Sequence, residues 1–194
     1  MDIEHHLFNK VNFLESPNFN ERPKSDEIRL IIIHSICLPP KLYGQNYVEE
    51  FFLNKLAISD HKYFEEIKDL KVSSHLYIKR NGDLIQFVPF NKRAWHAGES
   101  SYKGVTDCNN YSIGIELEGM DDDIYTDRQY DELIKVTQSI IKNYPLINKD
   151  SIIGHSDVSP QRKTDPGDKF DWIRFLEAIW LDKIQSKQFH SQVM

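Results

Sequence analysis

The segment Ser112-Ile113-Gly114-Ile115-Glu116-Leu117-Glu118 alternates with a period of two. Ile113, Ile115 and Leu117 fall on one face, and Ser112, Gly114, Glu116 and Glu118 on the other. That is a β-strand with Glu116 opposite its apolar side. A second stretch, Ile28 to His34, is apolar throughout after one charge and reads as a strand buried on both faces. Working outward, Val48, Phe51, Phe52 and Leu56 recur at helical spacing, which predicts an amphipathic helix near 46–57. Val72 to Ile78 and Asp83 to Val88 read as strands joined through Asn81-Gly82, a pair suited to the positive φ angles of a tight hairpin.

Thr126 and Gln129 form a capping box ahead of a helix. Tyr130, Leu133, Ile134, Thr137, Ile140, Ile141 and Tyr144 continue it until Pro145. Ser151-Ile152-Ile153-Gly154 is a short strand leading into His155, and a last helix is expected from Asp171, burying Trp172, Phe175, Leu176 and Ile179. Helices interleaved with strands, plus one hairpin, predict an α/β domain around a mixed sheet. The expected boundaries are a loop-rich arm over 1–27, one domain over 28–184, and a tail over 185–194.

The chain has 194 residues, enough to bury a core without disulfides or structural metal. With 24 Lys and Arg against 30 Asp and Glu, the net charge of −6 argues against binding to nucleic acid or anionic lipid by bulk charge. The longest apolar run, Leu30 to Ile33, is far too short to span a bilayer. The start, Met1-Asp2-Ile3-Glu4-His5-His6, has neither the basic residues nor the apolar stretch of a secretory signal. Cys37 and Cys108 make no disulfide framework. Together these predict a cytoplasmic protein, and a monomer is expected.

Of the eight histidines, His5, His6 and His190 lie near the ends and His61 in a polar stretch. His34 and His155 each follow an apolar strand, where side chains of open sheets face the functional crevice. Asp165 comes ten residues after His155 and is restrained by Pro166. Two imidazoles and a carboxylate suit a catalytic zinc with an open fourth position, yet each residue alone also fits an ordinary polar group at a strand end. Glu116 is either a general base raised in pKa by burial or a solvent-facing residue. Lys163 is either an oxyanion stabiliser or a surface charge. Trp95-His96-Ala97-Gly98 is either an aromatic wall with a hydrogen-bonding imidazole or plain core.

In order along the chain come Ile31-Ile32-Ile33-His34, Val72-Ser73-Ser74-His75, Trp95-His96-Ala97-Gly98, Ser112-Ile113-Gly114-Ile115-Glu116, Gly154-His155 and Lys163-Thr164-Asp165-Pro166-Gly167. This set resembles the zinc-dependent N-acetylmuramoyl-L-alanine amidases of type 2, with the peptidoglycan-recognition-like fold, and among them the cytoplasmic AmpD branch. The resemblance implies Zn2+ held by His34, His155 and Asp165, with Glu116 activating water and Lys163 stabilising the tetrahedral intermediate. It further implies a 1,6-anhydro-muropeptide substrate, cleaved between the lactyl group and L-alanine in peptidoglycan recycling. Arg162, Lys71, Trp95 and His96 are the expected substrate contacts. Lys71 keeps a charge where the branch carries arginine, without the bidentate fork. Asp107 stands where the branch carries arginine and would repel a carboxylate. Two competing classes are a non-catalytic muropeptide-binding module and a cysteine hydrolase using Cys37 or Cys108.

Overall fold

The computed structural model describes residues 1–23 and 27–180; the expected tail at 185–194 lies outside them. Strands β1 (Ile3–Glu4), β2 (Leu7–Phe8), β3 (Asn12–Phe13) and β4 (Phe19–Glu21) come first, then β5 (Leu30–Ile36). Helices α1 (Tyr47–Phe52) and α2 (Phe64–Ile67) precede β6 (Leu76–Ile78), β7 (Leu84–Gln86), β8 (Lys92–Ala94), β9 (Ser101–Tyr102) and β10 (Val105–Thr106). The long strand β11 (Ser112–Glu118) leads to α3 (Asp127–Asn143), β12 (Ile152–Gly154), α4 (His155–Val158) and a last helix, α5, over 172–180.

Six strands form the central sheet in the order β12-β5-β11-β6-β7-β3. β12, β5, β11 and β6 run parallel, and β7 returns antiparallel to β6, so the sheet is mixed as expected. Ile31, Ile33, Ile113, Ile115 and Leu117 pack beneath it against Leu133, Val136 and Ile140 of α3 and Phe175 and Ile179 of α5. The capping box at the start of α3 is complete: Thr126 Oγ1 accepts from Gln129 N and Gln129 Oε1 from Thr126 N. On the opposite face, Phe51, Phe52, Phe64 and Ile67 from α1 and α2 cover Tyr77, Ile85 and Phe87. Both faces of β11 are therefore buried, which differs from the simple inside–outside alternation of its sequence.

Two local expectations change. Helix α1 ends at Phe52 rather than 57, because Asn54 takes a left-handed conformation (φ 56°) and exchanges amide hydrogen bonds with Asn18. Between β6 and β7 only Gly82 has positive φ (89°), and Gly82 N donates to Lys79 O. This is the three-residue connection with a glycine bulge, not the two-residue turn.

The first residues were expected as a loop-rich arm, yet they carry β1 to β4, too short to register as periodicity. β3 pairs with β7 and β4 with β8. Arg22 holds this segment down: its guanidinium donates to the carbonyls of Phe90, Asn109, Asn110 and Ser112.

Candidate active site

Parallel pairing of β11 with β5 sets Glu116 opposite His34, and β12 pairs with β5 so that Gly154 lies opposite Ile33. His155, the next residue, opens α4 at the same sheet end. The chain then turns back through 159–165, with Ser156 N donating to Asp165 O at 3.0 Å. Topology thus gathers residues spread over 131 positions. His34 Nδ1, His155 Nδ1 and Asp165 Oδ2 stand 3.0, 3.1 and 3.2 Å from one another. His155 Nε2 donates to Ala97 O at 3.1 Å, which leaves His155 Nδ1 as a bare lone pair.

This donor set fits a cation of the zinc type. Bonds of about 2.0–2.1 Å in tetrahedral geometry separate ligand atoms by about 3.3–3.4 Å, close to the observed triangle. The donors are buried: His34 is 1 % exposed, His155 3 % and Asp165 9 %. Lone pairs brought that close in a dry corner repel unless a positive charge sits among them.

Burial pulls His34 down to about 4, against the opposing pull of Asp165, so the imidazole is neutral and able to ligate. For Asp165, burial pushes the carboxyl up, but its contacts with His155 and His34 outweigh that and hold it well below the usual carboxylate range. Glu116 moves the other way. Burial, then repulsion from Asp165, raises it well above an ordinary carboxyl, with Lys163 opposing. Glu116 Oε2 is buried with no hydrogen-bond partner among the described residues. Such a group is poised to exchange a proton.

These residues and Lys163 line one end of a cleft of about 470 Å3. Its lining also includes an apolar set, Leu38, Phe51, Phe52, Tyr63, Ile67 and Trp95. Trp95 is fixed by Nε1 donating to Asn20 Oδ1 at 2.8 Å. The structure does not bring every expected substrate contact into this cleft. Lys71 is exposed and borders a small adjoining hollow, which shares Phe51, Ile67 and Leu70 with the cleft. Arg162 Nη2 donates to the carbonyls of Ala97 and Glu99, outside the cleft lining. His96 is in the lining, but its ring nitrogens are engaged by His34 and Ser112, leaving none for a ligand. Asp107 is exposed and also outside the lining. Neither cysteine is set up as a nucleophile: Cys37 donates to Pro39 O and burial raises its thiol pKa, while Cys108 is fully buried against the Tyr111 hydroxyl and outside the cleft lining.

Sequence reasoning missed Asn109, Ser112 and Gly114. A Cβ on Gly114 would stand 2.5 Å from His96 Cγ, so the imidazole lies directly on the strand backbone. A glycine inside an otherwise strong strand was the available signal that something approaches closely.

The family model of N-acetylmuramoyl-L-alanine amidases matches residues 24–168. The chain is 48% identical over 178 residues to the 1,6-anhydro-N-acetylmuramyl-L-alanine amidase AmpD of Haemophilus influenzae, covering 92% of this chain and 97% of that protein. Its fold resembles the crystal structure of a selenomethionine AmpD derivative, with a TM-score of 0.89, 42% identity, and coverage of 92% of this chain and 99% of that one. It also resembles the Escherichia coli amidase AmiD, solved in complex with the substrate anhydro-N-acetylmuramic acid-L-Ala-D-gamma-Glu-L-Lys. There the TM-score is 0.57 at 26% identity, covering 83% of this chain and 65% of that one.

Proposed function

The chain belongs to the N-acetylmuramoyl-L-alanine amidase family, and on that premise we propose that it hydrolyses the amide between the lactyl group of 1,6-anhydro-N-acetylmuramic acid and L-alanine. The observation that carries this reading is the convergence of three bare donors beside a buried, partnerless carboxyl in one cleft. His34, His155 and Asp165 would hold the metal. A zinc ion bound there supplies Lewis acidity and makes water acidic near neutral pH.

Glu116 accepts a proton as water attacks the amide carbon. Lys163 donates to the amide oxygen as negative charge grows on it. Glu116 then returns the proton to the nitrogen of L-alanine as the C–N bond breaks, so the products are a free lactyl carboxylate and a peptide amine. The apolar set that includes Trp95 excludes water and gives the sugar ring a flat surface to pack on. All of these groups come from one chain, which supports a monomer as the working unit.

The reading extends to a cytoplasmic role in cell-wall recycling. Support comes from the likeness to AmpD and from Cys37 and Cys108, both buried free thiols. Among the described residues no helix is long and apolar enough to cross a membrane.

The test is mass spectrometry of the products from 1,6-anhydro-muropeptide and from intact sacculi, with and without a chelator. The expected result is release of free stem peptide from the anhydro substrate, lost on chelation and restored by zinc. Tight binding of muropeptide without cleavage by the zinc-loaded protein would instead make this a recognition module.

A further inference from the structure

A metal-ligating imidazole must present a lone pair on one ring nitrogen, and the partner of the other nitrogen decides whether it does. For both histidines of the triangle that partner lies in one short segment, His96-Ala97. His155 Nε2 donates to Ala97 O. His34 Nε2 lies 2.9 Å from His96 Nδ1, and the direction of that bond follows from the groups behind it. Ser112 Oγ donates to Cys108 O at 2.6 Å, so its proton is committed to a carbonyl that can only accept. Ser112 Oγ therefore accepts from His96 Nε2, 3.2 Å away. With its proton on Nε2, His96 offers a lone pair at Nδ1, and His34 Nε2 must donate to it. His34 Nδ1 is thereby bare and faces the triangle.

The segment itself is held from behind. Asn109 Oδ1 accepts from both His96 N (3.1 Å) and Ala97 N (2.8 Å), and Asn109 is 4 % exposed. Gly114 provides the space that lets the His96 ring lie against β11. Arg162 Nη2 adds a second donor to Ala97 O at 2.8 Å.

We propose that Asn109, His96 and Ser112 are positioning residues that set the tautomers of His34 and His155 before metal arrives. His96 is thus a partner of a ligand rather than of substrate. This inference rests on the metal reading proposed above, and its test separates the two.

The measurement is zinc affinity, by competition with a chromophoric chelator, for the wild type, His96→Leu and His96→Asn. Leucine fills much of the space without an acceptor, whereas the asparagine Oδ1 can stand where Nδ1 stands. Zinc binding by His96→Leu is expected to weaken by about 10–100-fold, with His96→Asn recovering most of the loss. Failure of the wild type to bind zinc would defeat the metal reading. Wild-type binding matched by His96→Leu would overturn the positioning role alone, as would equal losses in the leucine and asparagine variants. Should His96→Leu not fold, long-range 1H–15N correlations of the metal-free wild type decide. A proton on Nε2 of His34 and of His96 supports the relay, and a proton on Nδ1 of either refutes it.

Discussion

Gly114→Ala is the smallest change that reaches the metal corner without touching a ligand. The added Cβ would stand 2.5 Å from His96 Cγ, 2.6 Å from Nδ1 and 2.8 Å from Cδ2. Ordinary carbon contacts begin near about 3.5 Å, so something must retreat by about 1 Å. β11 is hydrogen-bonded to β5 on one side and β6 on the other, which leaves the His96 ring as the part that yields. A shift of that size takes the 2.9 Å bond to His34 Nε2 out of range. Overpacking costs about 1–3 kcal/mol, and alanine in place of a strand glycine returns about 0.5–1 kcal/mol. The net loss is up to about 2.5 kcal/mol, or up to about 5–10 °C in melting temperature for a chain of this size. Zinc affinity should fall by about 10–100-fold in the same variant. A thermal melt of the metal-free protein and a chelator competition read the two effects separately. A variant that melts lower yet binds zinc like the wild type would refute the link between the His96 ring and His34.

Glu116→Gln should retain zinc while losing about 10²–10⁴-fold in turnover, read by product release alongside metal content; near-normal turnover would remove Glu116 from proton transfer. Asp165→Ala should lose the metal, and full zinc occupancy after dialysis would show that the carboxylate is not a ligand. Arg22→Met strips a charged donor from four carbonyls and should lower stability by about 3 kcal/mol or more; a denaturant midpoint unchanged from wild type would contradict that. The metal-free protein should lose stability as pH falls below about 6.5, because burial holds His34, His75 and His96 neutral when folded while the unfolded chain takes up protons. For His34 alone, down to about 4, that amounts to about 3 kcal/mol. Glu116 works against this, since its raised pKa costs stability as pH rises from about 4.5 through its folded value, but three groups outweigh one. Melting temperatures at pH 5 and pH 7 that do not differ would contradict the burial of these rings.

Much of the architecture was readable because it is written in local periodicity. The strand over Ser112–Glu118, the three-and-four spacing through α3 and the Thr126–Gln129 box are each fixed by neighbours within a turn or two, and all three elements are present, although β11 is buried on both faces. Asp171 also caps α5, its Oδ1 accepting from Arg174 N. The arm was not readable, since strands of two or three residues carry no period: β1 and β2 pair with each other, and β3 and β4 form against the edges that β7 and β8 offer. The end of α1 was hidden for a similar reason: Leu56 keeps the helical spacing, but the Asn18–Asn54 exchange stops the helix before it.

The amino-acid order alone determined which side chains were candidates for the site, because His34, Glu116 and His155 sit at or beside strands whose register follows from apolar patterning. Only the tertiary structure decided that His34 and His155 each turn Nδ1 toward Asp165, that Glu116 is dry, and that Lys71 and Arg162 stand outside the cleft. Those outcomes depend on hydrogen bonds between segments distant in the chain, such as Ala97 with His155 and Asn109 with His96. No local pattern encodes a tautomer or a desolvated carboxyl. Both arise only when packing removes water and leaves one partner for each polar atom.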